Sequence, residues 1–209
     1  MTLVDATALP DWLDVSRETH QRLRDLLDLV AKWNPAINLV ARGTLANGWQ
    51  RHILDSAQIF ACVDQPSGIW ADLGSGAGFP GLVLAIIAAE KAPGLEFVLV
   101  DSDQRKAAFL AQAARRLGLG AGIICDRAER MGPLMAEVMT ARAFAGLDQL
   151  CRLASRHLTA SGVAIFPKGN SHRAELLQAG KAWGFDLGLK VSRTDPEGAL
   201  LVLRNIRHV

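Results

Sequence analysis

Residues 69–81 read Ile-Trp-Ala-Asp-Leu-Gly-Ser-Gly-Ala-Gly-Phe-Pro-Gly. A short apolar run ends at Asp72 and Leu73 and passes into a turn holding Gly74, Gly76, Gly78 and Gly81. An apolar helical run follows from Leu82. Glycine reaches positive φ and lets backbone approach a ligand without a Cβ in the way. A helix that starts behind such a turn presents unpaired N–H groups and the positive end of its dipole. Together these predict a site for a nucleotide-like cofactor. Chemistry-bearing side chains recur at the ends of the next apolar runs. Asp101-Ser102 follows Phe97–Val100, Asp126-Arg127-Ala128-Glu129 follows 122–125, Arg142 closes 138–142, and Lys168-Gly169 follows 162–167.

Two cofactors compete for the loop. Gly76-x-Gly78-x-x-Gly81 matches the dinucleotide fingerprint, and Asp101 stands about where a ribose-binding carboxylate is expected. A nicotinamide-dependent oxidoreductase is therefore one expectation. The frame Asp72-x-Gly74-x-Gly76-x-Gly78 favours S-adenosylmethionine, because it is the frame that Rossmann-like methyltransferases carry. That cofactor has no pyrophosphate. A carboxylate at the strand end suits its ammonium or sulfonium and repels a diphosphate. Pro80 suits the first helical turn, since it lacks an N–H and its φ is already set. The chain has no tyrosine, which excludes the Tyr-Lys pair of short-chain dehydrogenases.

These side chains need elements to hold them. Strands are expected at 69–73, 96–101, 122–125, 138–142, 162–167, 187–192 and 200–205. Helices are expected at 81–91, 104–117, 128–136, 146–157 and 171–182. Such alternation implies an α/β, Rossmann-like fold with a mostly parallel seven-stranded sheet, helices on both faces and an antiparallel finish. Ligands of such a sheet bind outside the carboxyl ends of its strands, where Asp72, Asp101, Glu129, Arg142 and Lys168 are expected to converge. Each could instead cap a helix, and Arg142 could pair with Asp72 or Asp101. Upstream, residues 11–33 have helical periodicity through Leu13, Leu23, Leu26, Leu27, Val30 and Trp33. Asn34-Pro35 is expected to end that helix. A second helical stretch holds Trp49, Ile53, Leu54, Ala57 and Phe60. Residues 1–66 thus read as a helical N-terminal extension packed on a core domain of residues 67–209.

The chain has 209 residues, half of them hydrophobic, enough for one large domain with an appendage. No apolar run is long enough for a membrane span, and Met1–Asp5 lacks a signal-peptide pattern. Cys62, Cys125 and Cys151 form neither a metal pattern nor a disulfide framework, which predicts a cytoplasmic protein without a metal. Residues 142–209 carry a net charge of +5 and residues 1–141 one of −3. A basic C-terminal third suits a polyanionic partner such as RNA.

Several segments together resemble one family. They are Asp72-Leu-Gly-Ser-Gly-Ala-Gly-Phe-Pro-Gly81, Val100-Asp101-Ser102 with Lys106, Asp126-Arg127-Ala128-Glu129 and Thr140-Ala141-Arg142-Ala143. Asn38-Leu39, Arg51-His52-Ile53-Leu54-Asp55-Ser56 and Lys168-Gly169 extend the match over roughly residues 30–170. This pattern is similar to that of the bacterial small-subunit (16S) ribosomal RNA guanine-N7 methyltransferases, the glucose-inhibited division protein B family. The chain departs from it at Val40 and Pro167. The resemblance implies S-adenosylmethionine contacts at Gly74, Phe79, Ala128, Glu129 and Arg142. Asp72 and Asp101 are added on the general pattern of the class. His52, Asp55 and Lys168 are expected on the RNA side. The implied substrate is one guanine near the decoding region, in 16S rRNA or the small ribosomal subunit, methylated by a monomeric enzyme. A non-catalytic RNA-binding protein is the remaining alternative.

Guanine N7 has a lone pair and no proton, so its methylation is an in-line displacement that needs no general base. Positioning and extrusion of the base are the tasks left to the protein. The sequence agrees, with no Asn-Pro-Pro-Tyr loop and no cysteine after proline or threonine to act as a nucleophile. Arg142 is expected to position the substrate. Asp55 or Asp72 is expected to face the positive charge that develops on the purine. His52 either contacts RNA or joins helix to sheet.

Overall fold

The computed structural model describes residues 7–209. Seven strands form one sheet in the order β3-β2-β1-β4-β5-β7-β6. These are β1 (Ile69–Leu73), β2 (Glu96–Val100), β3 (Gly122–Ile124), β4 (Ala136–Thr140), β5 (Leu158–Lys168), β6 (Trp183–Val191) and β7 (Ala199–His208). The first five strands run parallel and β7 is antiparallel to both β5 and β6. The sheet is therefore mixed, with the expected antiparallel finish.

Buried strands of this kind carry apolar side chains on both faces. Trp70 and Phe97 enter one apolar cluster, with α3 (Gly81–Lys91), α4 (Gln104–Arg116) and α1 (Arg17–Ile37). Ala71 and Leu73, on the opposite face of β1, enter a second cluster with α5 (Leu147–His157) and α6 (His172–Ala179). The helical extension has no separate core. Its Leu23, Leu26, Ile53 and Ile59 are fully buried in the first cluster with the sheet. The Phe60, Trp70 and Phe97 rings stack in sequence, at centroid separations of 6.1 and 5.8 Å, and tie the extension to β1 and β2.

Three expectations about elements are corrected. The first helix starts at Arg17, because Ser16 caps it by accepting from the Thr19 N–H at 3.1 Å. It also runs past Asn34-Pro35 to Ile37. Pro35 falls in the last turn, where its missing N–H removes only one bond, and Asn38 at φ 50° ends the helix. The second helical stretch is a π turn at Trp49–Leu54, one α turn, α2 (Asp55–Ala57), and a 3-10 turn at Gln58–Cys62. No helix forms over 128–136. Gly132-Pro133 interrupts the apolar run, and Arg156 fixes the segment from α5 by donating to the Met131 carbonyl.

Candidate active site

The glycine loop is held from below by two carboxylates. Asp72 sits on β1 opposite Leu99 of β2 and Thr140 of β4. Its Oδ2 accepts from the Gly81 N–H at 3.1 Å, and its Oδ1 accepts from the Thr140 hydroxyl at 2.8 Å. The Trp70 indole in turn donates to Thr140 Oγ1. Asp72 is fully buried, and burial outweighs these bonds and pushes its carboxyl up to about 6. Asp101 Oδ2 accepts from the Gly76 N–H at 2.8 Å and Oδ1 from the Asp103 N–H at 2.9 Å. The Val100 carbonyl receives the N–H groups of both Gly74 and Ser75. Gly74, Gly76 and Gly78 all have positive φ.

The amino end of α3 is thus closed from within. Asp72 takes one of its N–H groups, and the Gly78 carbonyl takes that of Leu82. In a dinucleotide fold a pyrophosphate would occupy that end. Here a carboxylate already stands there, which disfavours a second anion.

A cavity of about 360 Å³ opens above the loop at the ends of β1, β2 and β3. Gly74, Asp101, Ala128 and Glu129 all line it. The Ala128 carbonyl accepts a bond from the buried His157 ring at 2.9 Å, which fixes the 126–129 turn from α5. Glu129 Oε1 accepts from the Gln149 amide at 2.9 Å. Sequence reasoning missed Gln149 and Phe144 as wall residues. Phe144 lies against Gly74, so closely that a Cβ on Gly74 would overlap its ring. An aromatic two positions after Arg142 was the available signal.

Arg142 lies outside that cavity, in a latch between the sheet and the extension. Its Nη1 donates to Asp55 Oδ2 and to the Arg51 carbonyl, both at 3.0 Å. Its Nη2 faces His52 Nδ1 at 3.3 Å. The partner is therefore Asp55 rather than Asp72 or Asp101. His52 stacks on Phe79 at 4.9 Å and nearly parallel, and Arg142 lies 5.5 Å from the same ring. Burial, then the Arg142 and Arg51 charges, lower the His52 imidazole to about 4. A neutral ring must accept at Nδ1 from Arg142 and donate Nε2–H to Thr44 Oγ1, 2.9 Å away. The Thr44 hydroxyl in turn donates to the Ala41 carbonyl. His52 thus joins extension and loop. Phe79 is the buried middle of this stack, below the cavity rather than in it.

A second cavity, of about 320 Å³, lies at the ends of β4 and β5 and the start of β7. Asp55, Arg142 and Lys168 border it. Ala143 lines both cavities, so the two meet immediately after Arg142. Lys168 is committed internally. It donates to Glu175 Oε2 at 2.7 Å and to the Ala145 carbonyl at 2.9 Å, bracing the loop that carries Phe144. Asp55 Oδ1 accepts from Thr194 and Gln58 at 2.7 and 3.0 Å, so the β6–β7 turn is bound to the same latch. No group of three or more His, Cys, Asp or Glu suited to a metal occurs among the described residues.

Comparison with known proteins shows the family and the fold. The family model for GidB, rRNA small subunit methyltransferase G, matches residues 19–196. "Ribosomal RNA small subunit methyltransferase G" of Cereibacter sphaeroides is 47% identical over 94% of this chain and 96% of its own. The protein of the same name from Ruegeria pomeroyi is 48% identical over the same shares. Among solved structures, a SAM-dependent methyltransferase from Aquifex aeolicus superposes with a TM-score of 0.58. It is 12% identical and matches 79% of this chain and 94% of its own, a likeness of fold alone. The PH0226 protein of Pyrococcus horikoshii does so with a TM-score of 0.61, at 12% identity, over 85% of this chain and 98% of its own. With a family match across most of its length, and relatives near half identity over nearly all of it, the chain belongs to the rRNA small subunit methyltransferase G family.

Proposed function

We propose that the protein transfers the methyl group of S-adenosylmethionine to N7 of a guanine in small-subunit (16S) ribosomal RNA. The observation that carries this is the pair of cavities meeting at Ala143, one over the glycine loop and one beside Arg142. Family membership decides the cofactor in favour of S-adenosylmethionine over nicotinamide. The amino end of α3 fits that choice, since Asp72 and the Gly78 carbonyl already take the Gly81 and Leu82 N–H groups and a carboxylate stands where a diphosphate would bind.

Gly74, Asp101, Ala128 and Glu129 would hold the cofactor, whose bound form supplies a methyl group on a sulfonium. Asp72 shapes the loop from beneath rather than touching the ligand. Acidic walls at Asp101 and Glu129 suit a cationic ligand with ribose hydroxyls. Arg142, tied to Asp55, positions the base at the junction. N7 gives up no proton, so a neutral, tautomer-locked His52 and a carboxylate-paired arginine suffice. Charge that develops on the purine faces Asp55 more directly than the enclosed Asp72, because only Asp55 borders the second cavity. We assign the extension, residues 1–66, the role of completing that cavity through Asp55. No described helix is long and apolar enough to cross a membrane, and we place the enzyme in the cytoplasm as a monomer.

The test is transfer of labelled methyl to small subunits and to naked 16S rRNA, followed by base mapping. A single N7-methylguanine is expected. Methyl groups on an exocyclic amine or ribose, or no transfer to RNA, would overturn the proposal.

A further inference from the structure

The second cavity has a wall that methyl transfer as described does not use. Three carboxylates border it, Asp55, Glu175 and Asp195. Two of them are spent. Asp55 serves Arg142, Thr194 and Gln58. Glu175 serves Lys168, Ser171 and the Leu147 N–H. Asp195 differs. Its Oδ1 accepts only the Glu197 N–H at 3.0 Å, and its Oδ2 has no protein partner among the described residues.

Asp195 is also firmly presented. Its N–H and that of Thr194 both donate to Ser192 Oγ, and its carbonyl accepts from the Gly198 N–H. The turn is fastened to the extension by the Arg193 N–H, which donates to Gln58 Oε1 at 2.8 Å. The Asp195 side chain lies across Gly198, where an added Cβ would stand 3.1 Å from its Cβ and 3.3 Å from its Cγ. Glycine at 198 therefore gives this carboxylate its place on the wall.

A fixed carboxylate accepts two adjacent donors well. Among the four RNA bases only guanine offers such a pair on its pairing edge, the N1–H and the N2 amine. Adenine and cytosine put a ring acceptor there, and uracil flanks its one N–H with two carbonyls. N7 lies on another edge of the purine, so a grip on N1 and N2 leaves it uncovered. We propose that Asp195 selects guanine by accepting from N1–H and N2–H of the extruded base, which turns N7 toward the junction at Ala143. This rests on the assignment of an RNA guanine as substrate.

The test compares small-subunit RNA carrying guanosine at the methyl-accepting position with RNA carrying inosine there, which lacks the N2 amine and keeps N7. The wild type is expected to lose at least about 10-fold in kcat/KM on inosine, the scale of a lost bidentate contact. Asp195→Asn keeps an oxygen for the Glu197 N–H but turns a donor toward the base. It is expected to lose a similar factor on guanosine and to bring the guanosine-to-inosine ratio near one, with the affinity for S-adenosylmethionine unchanged. Gly198→Ala, which displaces the carboxylate, is expected to lower the ratio part of the way. A wild type indifferent to inosine, or an Asp195→Asn enzyme that keeps the wild-type ratio, would overturn the role of Asp195 while leaving guanine methylation in place. No transfer to the guanosine RNA by the wild type would overturn the function beneath it as well.

Discussion

The two cavities are built by opposite means. The one over the glycine loop is made mainly of short contiguous segments, each at the end of its own strand. Two carboxylates brace its loop: Asp101 accepts from the Gly76 and Asp103 N–H groups, and Asp72, beneath it, accepts from the Gly81 N–H and the Thr140 hydroxyl. The one beside Arg142 draws on residues 55, 142, 168 and 195, which come from distant segments brought together by the β4–β5 pairing, the Arg142–Asp55 ion pair and the bond from Thr194 to Asp55. A cofactor shared by many enzymes can be held by backbone shape, whereas a particular RNA base needs side chains from several places. The comparison also shows that a carboxylate at a strand end is not thereby a ligand contact. Asp72 has both oxygens bonded beneath the loop, whereas Asp195, in a turn, keeps an oxygen with no protein partner among the described residues.

Substitutions on each side break the comparison differently. Gly74→Val is expected to have the largest effect. It forces a β-branched residue to φ 68° and drives a Cβ into Phe144, so affinity for S-adenosylmethionine should fall roughly 100-fold or more by calorimetry. Arg142→Ala should spare that affinity and the fold but lower kcat/KM for RNA by about 100-fold, because it unpairs Asp55 and removes the positioning cation. Near-normal turnover in this variant would remove Arg142 from the target side.

The pH dependence of stability separates the two regions further. Asp72 titrates near 6 in the folded protein against 3.8 in an open chain, so the folded state keeps its proton longer. Its contribution is fully present below about pH 4 and is lost as pH rises through 6. Relative to Asp72→Asn, the wild type should lose roughly 2–3 kcal/mol between pH 4 and 7 in denaturant unfolding. His52 has the opposite sign. Its imidazole is lowered from 6.5 to about 4, so its contribution is present above pH 6.5 and is lost as pH falls through 4. Relative to His52→Gln, the wild type should lose roughly 2 kcal/mol from pH 7 to 4.5. Matching slopes in the two variants would show that the regions are not electrostatically distinct.

The glycine loop and a mostly parallel seven-stranded sheet with an antiparallel finish were legible in the sequence, and four of the residues expected on the cofactor side, Gly74, Asp101, Ala128 and Glu129, line one cavity. Positive φ at Gly74, Gly76 and Gly78 is a local property, and a side chain that follows a strand is delivered to the sheet's carboxyl edge by the fold. What was not legible has one cause. The 128–136 segment has the apolar content of a helix, but Gly132-Pro133 and contacts from α5 hold it as turns. Lys168, expected on the RNA side, has an internal partner in Glu175. Arg142, for which a pair with Asp72 or Asp101 was the alternative reading, is paired with Asp55, 87 positions away. In each case a partner from another element decided the outcome.

The sequence by itself therefore determined the class of fold, the cofactor loop and the family, because these depend on local backbone preferences and on the order of strands. Only the tertiary structure decided which polar groups are consumed and which remain open. Asp72 turns inward to satisfy the Gly81 N–H that burial would otherwise leave unpaired, while Asp101 braces Gly76 and still faces the cavity. His52 is neutral because packing against Phe79 and Arg142 desolvates it. Asp195 keeps an open oxygen because Gly198 and the bond that the Arg193 N–H donates to Gln58 hold its turn at the cavity wall. Partnership across long sequence separations is a property of the packed molecule, and no spacing along the chain encodes it.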